Sequence, residues 1–195
     1  MSLLNRPPAN GKLRTVNLTL RHEKRVATGR SNKLVGATGE YLVAAALSRR
    51  GYIATTFTGN VPHYDIIASN EEGKHVSVQV KAGRAGSWQF ADVRQFCDIT
   101  FDDSNPKRQI VGEAKPCPVR RLVMVFVKIE ESGNDRFYIL GWQKLRDLVI
   151  KHHKAYLDKH DGIRPKRWDS FHCGIREQIL RPHLDKWGAI EKHLR

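Results

Sequence analysis

Cysteine is scarce in this chain: three residues in 195, Cys97, Cys117 and Cys173. An odd number with no CxxC spacing builds neither a disulfide framework nor a structural zinc site, and reads as thiols of a reducing compartment. Long apolar runs are missing as well. The longest, Leu42–Leu47 and Leu122–Val127, fall far short of the roughly 18 residues a spanning helix needs, so no membrane partner is expected. The opening MSLLNRPPANGK has no apolar run, which argues against a secretory leader. The first acid is Glu23, as a mitochondrial presequence would allow, but Pro7, Pro8 and Gly11 oppose the amphipathic helix such a segment requires. The cytoplasm is the expected location. Also absent are a P-loop, a G-x-G-x-x-G turn and a G-x-S-x-G elbow, so nothing points to a small-molecule enzyme.

Acid is in deficit: 20 Asp and Glu against 34 Lys and Arg, a net charge of +14. Charge of that sign and size favours a polyanionic partner, nucleic acid first. It is unevenly placed. Residues 1–33 carry eight Lys or Arg and one acid, and residues 151–195 carry eleven against six, while the centre is nearly neutral. The division expected is a basic arm over 1–30 with little order of its own, a core over 31–160, and a basic extension over 161–195 packed on that core. A chain of this length can bury roughly 70 % of its unfolded surface without staples.

Within the core, Ser31 or Asn32 can cap a helix that runs to Arg50, with Gly51 as its left-handed stop. Strand composition recurs at 52–57, at Tyr64–Ala68 and at His75–Ala82, the last two joined by a turn at 69–74. In VSVQVKA, Val76, Val78 and Val80 alternate with Ser77, Gln79 and Lys81. Val16, Leu18 and Leu20 alternate too and allow a short strand. The continuous run Leu122–Ile129 predicts an inner strand, and Arg136–Gly141 a further one. Trp142, Leu145, Val149, His152 and Tyr156 then trace one face of a helix over 142–159. Residues 83–118 hold Trp88, Phe90, Phe96 and Phe101 without a readable period. The fold class expected is α/β (α+β): a mixed central sheet of about five strands flanked by helices.

Four residues are the candidates for chemistry. Gln79 and Lys81, two apart on a strand, leave the same face. Asp65 sits on the preceding strand of the hairpin. Gly36, Glu40, Val43 and Leu47 form a helical stripe, so Glu40 faces the sheet, where a carboxylate is costly unless paired or bound to a cation. Asp65, the Gln79 amide oxygen, the Val80 carbonyl and Glu40 would suit the oxygen-rich shell that Mg²⁺ or Mn²⁺ prefers, with Lys81 beside it to orient an attacking water. The bland alternative makes Gln79 and Lys81 the solvated face of an antiparallel strand and Glu40 a surface residue favoured by the helix dipole.

The succession GATGEYLVAAALSRRGY, YDIIA and VSVQVKA, residues 36–82, resembles the PD-(D/E)XK nuclease superfamily, the fold of restriction endonucleases and Holliday-junction resolvases. The resemblance implies a divalent-cation-dependent phosphodiester hydrolase acting on DNA, with Glu40, Asp65 and Lys81 at its helix glutamate, first aspartate and lysine positions. Two departures stand out. His63-Tyr64-Asp65 replaces the Pro-Asp pair, and Gln79 fills the second acidic position, a Q-x-K form similar to the Mrr-type restriction branch and some homing endonucleases. The rival expectation is a nucleic-acid-binding protein on the same fold without catalysis, since an amide gives the cation one charge less. Arg84, Lys166, Arg167 and Trp168 are candidate nucleic-acid contacts, the last three as a mix of cations and a stacking ring. His63, two residues from Asp65, is a candidate supporting residue. Cutting both strands of a duplex would call for a homodimer or larger.

Overall fold

The computed structural model describes residues 29–195 apart from Thr58 and Asn60. Residues 1–28 of the arm expected over 1–30, with its strand at Val16–Leu20, and two residues of the turn after 57 therefore lie outside the described residues. No helix among the described residues is long and apolar enough to cross a membrane.

Helix α1 runs Gly29–Ser48, and strands β1 (Ile53–Thr56), β2 (Ile66–Ser69) and β3 (His75–Gly83) follow as an antiparallel meander. The helix stops where expected: Gly51 takes φ +84, a conformation that costs a residue with a Cβ about 1 kcal/mol or more. The chain then leaves the sheet through β4 (Ser87–Phe90), β5 (Cys97–Asp102) and β6 (Asn105–Ala114) before returning as β7 (Leu122–Lys128), parallel to β3. A parallel pair needs a long crossover, commonly helical; here it is built from strands. Strand β8 (Arg136–Gly141) pairs antiparallel with β7, and helix α2 spans Trp142–Asp158. Strand β9 (Cys173–Arg176) pairs with β4, and β5 with β6, as two small sheets apart from the main one. The central sheet has five strands in the order β1-β2-β3-β7-β8. The fold is mixed α+β, with helices on both faces of a mixed sheet.

The apolar run at 122–127 has its reason in this layout. Leu122, Met124 and Phe126 pack into one core cluster with Trp88, Phe90, Phe96 and Trp142; Val123, Val125 and Val127 pack into another with α1 residues Val43 and Leu47. A strand covered on both faces has no polar side to alternate with. The second cluster is closed by Trp187, Ile190 and Leu194, while the Asn70 side-chain amide donates to the Leu194 carbonyl at 2.6 Å, tying the β2–β3 turn to the far end of the chain.

One expectation needs correction. On α2 the buried face is Trp142, Leu145, Val149, His153 and Leu157, and His152 lies outside it. A stripe read at 3.5 residues per turn slips off a helix that turns every 3.6, so over four turns the inward position moves from 152 and 156 to 153 and 157. On β3 the bland alternative does not hold: Ser77 is buried and Gln79 and Lys81 are half-buried, so that face is not a solvated one.

Candidate active site

Asp65 sits just outside the start of β2, where the antiparallel pairing with β3 begins. Its N–H donates to the Val78 carbonyl at 2.9 Å, and its Oδ2 accepts the Val80 N–H at 2.6 Å. The carboxylate thus takes a ladder bond that a further residue of β2 would otherwise make, and is held against β3 beside Lys81. Its other oxygen takes no hydrogen bond among the described residues.

Glu40 reaches the same place from α1. The helix can come this close because position 39 is glycine: a Cβ there would lie 2.4 Å from that of Ala82 on β3. Val80 and Ala82 face the helix and Lys81 the opposite side, so α1 and the lysine approach one strand from its two faces. Glu40 has no ion-pair or hydrogen-bond partner among the described residues. Partial burial, with the Asp65 charge adding to it, pushes its carboxyl above the usual range. Burial raises Asp65 too, opposed by the Val80 hydrogen bond and the Lys81 charge. Lys81 is pushed down by burial, with Asp65 opposing; its Nζ lies 4.8 Å from the centre of the Phe90 ring.

These directions fix a pH dependence. A carboxyl raised by folding destabilises the folded chain above its unfolded value, because the unfolded state holds its charge more cheaply. Glu40→Gln is therefore expected to raise Tm at neutral pH without divalent ions, with the gain vanishing in acid where wild-type Glu40 is itself protonated. Melting curves of both proteins across pH 3–8 (a range chosen from the roughly 4.3 of a free glutamate) check it; an equal gain at every pH would remove the charge from the explanation.

Gln79 lies on the Lys81 side of β3 but makes no hydrogen bond with Asp65 or Lys81. It opens instead onto a cleft of about 280 Å³ shared with His63, Arg94, Lys115 and Trp142. His63 stands in a bend before β2, with φ +74, and is exposed on the rim of that cleft. Arg94 and Lys115 were not legible in the sequence, since both belong to the segment without a readable period. Arg94 is held by a two-pronged pair with Asp92 and stacks 3.9 Å over Phe171; Lys115 pairs with Asp98 at 3.3 Å.

The structure does not bring the other expected contacts here. Arg84 follows β3, lining an open groove with Glu130, Glu131 and Arg136, about 10 Å beyond Lys81 at the ~3.3 Å rise of a strand. Lys166, Arg167 and Trp168 sit in the loop after α2. Arg167 pairs with Asp169, and the Trp168 ring meets Phe101 edge-on at 5.8 Å, which occupies part of the surface expected to stack on bases.

The donor set at Asp65 and Glu40 suits a hard divalent cation: two half-buried carboxylates, both raised by burial and Glu40 also by the Asp65 charge, are groups that a cation would relieve. Among the described residues no cluster of three or more His, Cys, Asp or Glu forms.

No family model matches the chain, and no curated protein matches it. A bacterial homing endonuclease, I-Ssp6803I, is a solved structure with some likeness: 17 % identity over 60 % of this chain and 73 % of that one, at a TM-score of 0.37. A superposition that loose sets up no residue correspondence.

Proposed function

We propose that the chain is a metal-dependent nuclease that hydrolyses phosphodiester bonds, in DNA, by attack of water at the Asp65–Lys81 site. The observation that supports this reading most is the closeness of Asp65 to both other groups at β3: its charge adds to the rise at Glu40 and opposes the burial that pushes Lys81 down. Asp65, Glu40, the Gln79 amide oxygen and the Val80 carbonyl would hold Mg²⁺ or Mn²⁺, which when bound offsets charge on the phosphate and lowers the pKa of water. Lys81 Nζ, kept in place over Phe90 and drawn toward Asp65, orients the attacking water by hydrogen bonding and stabilises the charge that grows on the non-bridging oxygens. Asp65 holds β3 in register through the Val80 N–H while its second oxygen faces the site. Arg94 and Lys115, on the rim beside Gln79, place the phosphate chain along the cleft. The site stands within one chain; cutting both strands of a duplex would take two copies.

Supercoiled plasmid incubated with the protein and Mg²⁺ or Mn²⁺ tests the reading: cleavage that chelation stops and that Asp65 and Lys81 variants lack supports it, and cleavage shared equally by those variants belongs to a contaminant.

Gln79 favours a second reading, a nucleic-acid-binding protein without catalysis, because an amide gives a cation one charge less than a carboxylate. That binder would hold duplex DNA with affinity falling as salt rises, by about 0.9 in the logarithm per phosphate contact, and would not cleave it, whichever divalent ion is added. Calorimetry with Mn²⁺ separates the two. The nuclease reading expects heat at the site, and Gln79→Glu should tighten the cation by about tenfold or more, since a unit charge near a cation is worth about 4 kcal/mol at an effective dielectric of 20 before desolvation is subtracted. No heat from either protein, with DNA binding intact, favours the binder.

A further inference from the structure

Behind the wall of Lys81 lies a second recess that the proposed hydrolysis does not use. Helix α2, strands β4 and β9 and the loop between α2 and β9 enclose about 290 Å³, lined among others by Gln89, His153, Tyr156, Arg164, His172 and Cys173. That is close to the lower end of small-molecule sites, roughly 300–1,000 Å³.

Its chemistry is specific. His153 is only 5 % exposed, and its Nε2 is buried with no hydrogen-bond partner among the described residues. Leaving such a group unpaired costs about 1–3 kcal/mol. Burial, with the Arg164 charge adding to it, pushes its pKa down to about 4, so near neutral pH the ring is uncharged and offers one donor and one acceptor. The Arg164 guanidinium is fixed by donating to the His172 carbonyl at 2.6 Å, and its central carbon lies 5.6 Å from the Tyr156 ring centre. Tyr156 is 39 % exposed, with His160 tilted against it at 4.8 Å. Two flat surfaces, a neutral hydrogen-bonding ring edge and the Gln89 amide suit a planar, polar heteroaromatic ring. A bare anion would find one fixed guanidinium and an uncharged imidazole.

We propose that this recess receives one unstacked nucleobase, lying against Tyr156 or Arg164 and hydrogen-bonded by His153. Stacking on aromatic rings or guanidinium planes and reading of the exposed edge is how single unpaired bases are held. Its position adds to the argument. Cys173 lines the recess and pairs in register with Phe90, the ring under Lys81 Nζ. A base lodged there belongs to a nucleotide near the phosphate at Lys81. The inference rests on the nucleic-acid reading above and adds to it the recognition of an extruded or single-stranded base.

The test uses the full chain with ¹³C in its His and Tyr rings, titrated separately with adenosine, cytidine and inorganic phosphate. At least one nucleoside should move the His153 and Tyr156 ring signals along a saturating curve while phosphate leaves them in place. Tyr156→Ala should weaken that nucleoside by about tenfold, the scale of one lost base stack. Absence of any nucleoside shift at millimolar concentration, or equal shifts from phosphate, overturns the proposal, and the wild-type titration alone decides this if the variant does not fold. Plasmid cleavage is read separately. Nucleoside binding without cleavage keeps the recess and removes the nuclease; cleavage without nucleoside binding does the reverse.

Discussion

Asp65→Asn should lower plasmid cleavage at least about a hundredfold, the scale of losing one preorganised electrostatic group at a reacting centre, without lowering Tm. The substitution is chosen for what it preserves. The amide oxygen of the introduced asparagine can still accept the Val80 N–H that Oδ2 of Asp65 accepts at 2.6 Å, so β3 keeps its register and the buried donor is not orphaned. Only the charge is lost. Because folding raises the Asp65 carboxyl above its ordinary value, a neutral group is tolerated there, and Tm in metal-free buffer should stay level or rise. Asp65→Ala would remove acceptor and charge together and confound the two. Cleavage rates on supercoiled DNA with Mn²⁺, beside melting curves, make the measurement. An asparagine variant that cuts at the wild-type rate would take Asp65 out of the chemistry, and one that melts many degrees lower would give it a structural role instead.

The second large effect concerns how α1 meets the sheet. Gly39→Val should destabilise the chain by about 3 kcal/mol, the upper part of the usual overpacking range. For a chain of this size that is roughly 6–12 °C of Tm. The clash is unusually rigid. The added Cβ would lie 2.4 Å from the Ala82 Cβ and 3.6 Å from its Cα, and neither atom can rotate away, so the helix itself must retreat. Gly39→Ala creates the same contact in milder form, and Ala82→Gly removes the atom it strikes. The double variant should therefore recover stability beyond the sum of the two single changes, a coupling that distant pairs do not show. Retreat of α1 also withdraws Glu40 from Asp65, so cleavage should fall in step with Tm in the valine variant. Simple additivity in thermal melts would mean that the contact is not what limits helix approach.

Much of the site's frame was legible because it is local. The helix stripe, the stop at Gly51, the hairpin turn and the alternation of VSVQVKA each depend on neighbours within a few residues; the stripe holds at Val43 and Leu47, but Gly39 rather than Gly36 is the glycine that meets the sheet. What the sequence did not disclose is what depends on partners far along the chain. Trp88 and Phe90 alternate correctly for a strand, but their strand pairs with Cys173–Arg176, and no short-range pattern announces that. Arg94 and Lys115 reach the cleft only because β5 and β6 fold back as a hairpin between β3 and β7. The slip from His152 to His153 on α2 is of another kind: a stripe judged at the wrong period stays right for two turns and fails by the fourth. That residue carries a buried ring nitrogen with no hydrogen-bond partner among the described residues, so a small error of phase hid it.

The order in which partners become available has a consequence for assembly. The meander bearing Asp65 and the helix bearing Glu40 are complete by residue 83, whereas the strand that backs Lys81 through Phe90 waits for Cys173. Contacts closed over so long a loop form slowly. During synthesis from the N-terminus, the residues that carry Glu40 and Asp65 emerge first, while the strand that walls Lys81 and the residues that close the core under α1, Trp187, Ile190 and Leu194, emerge last.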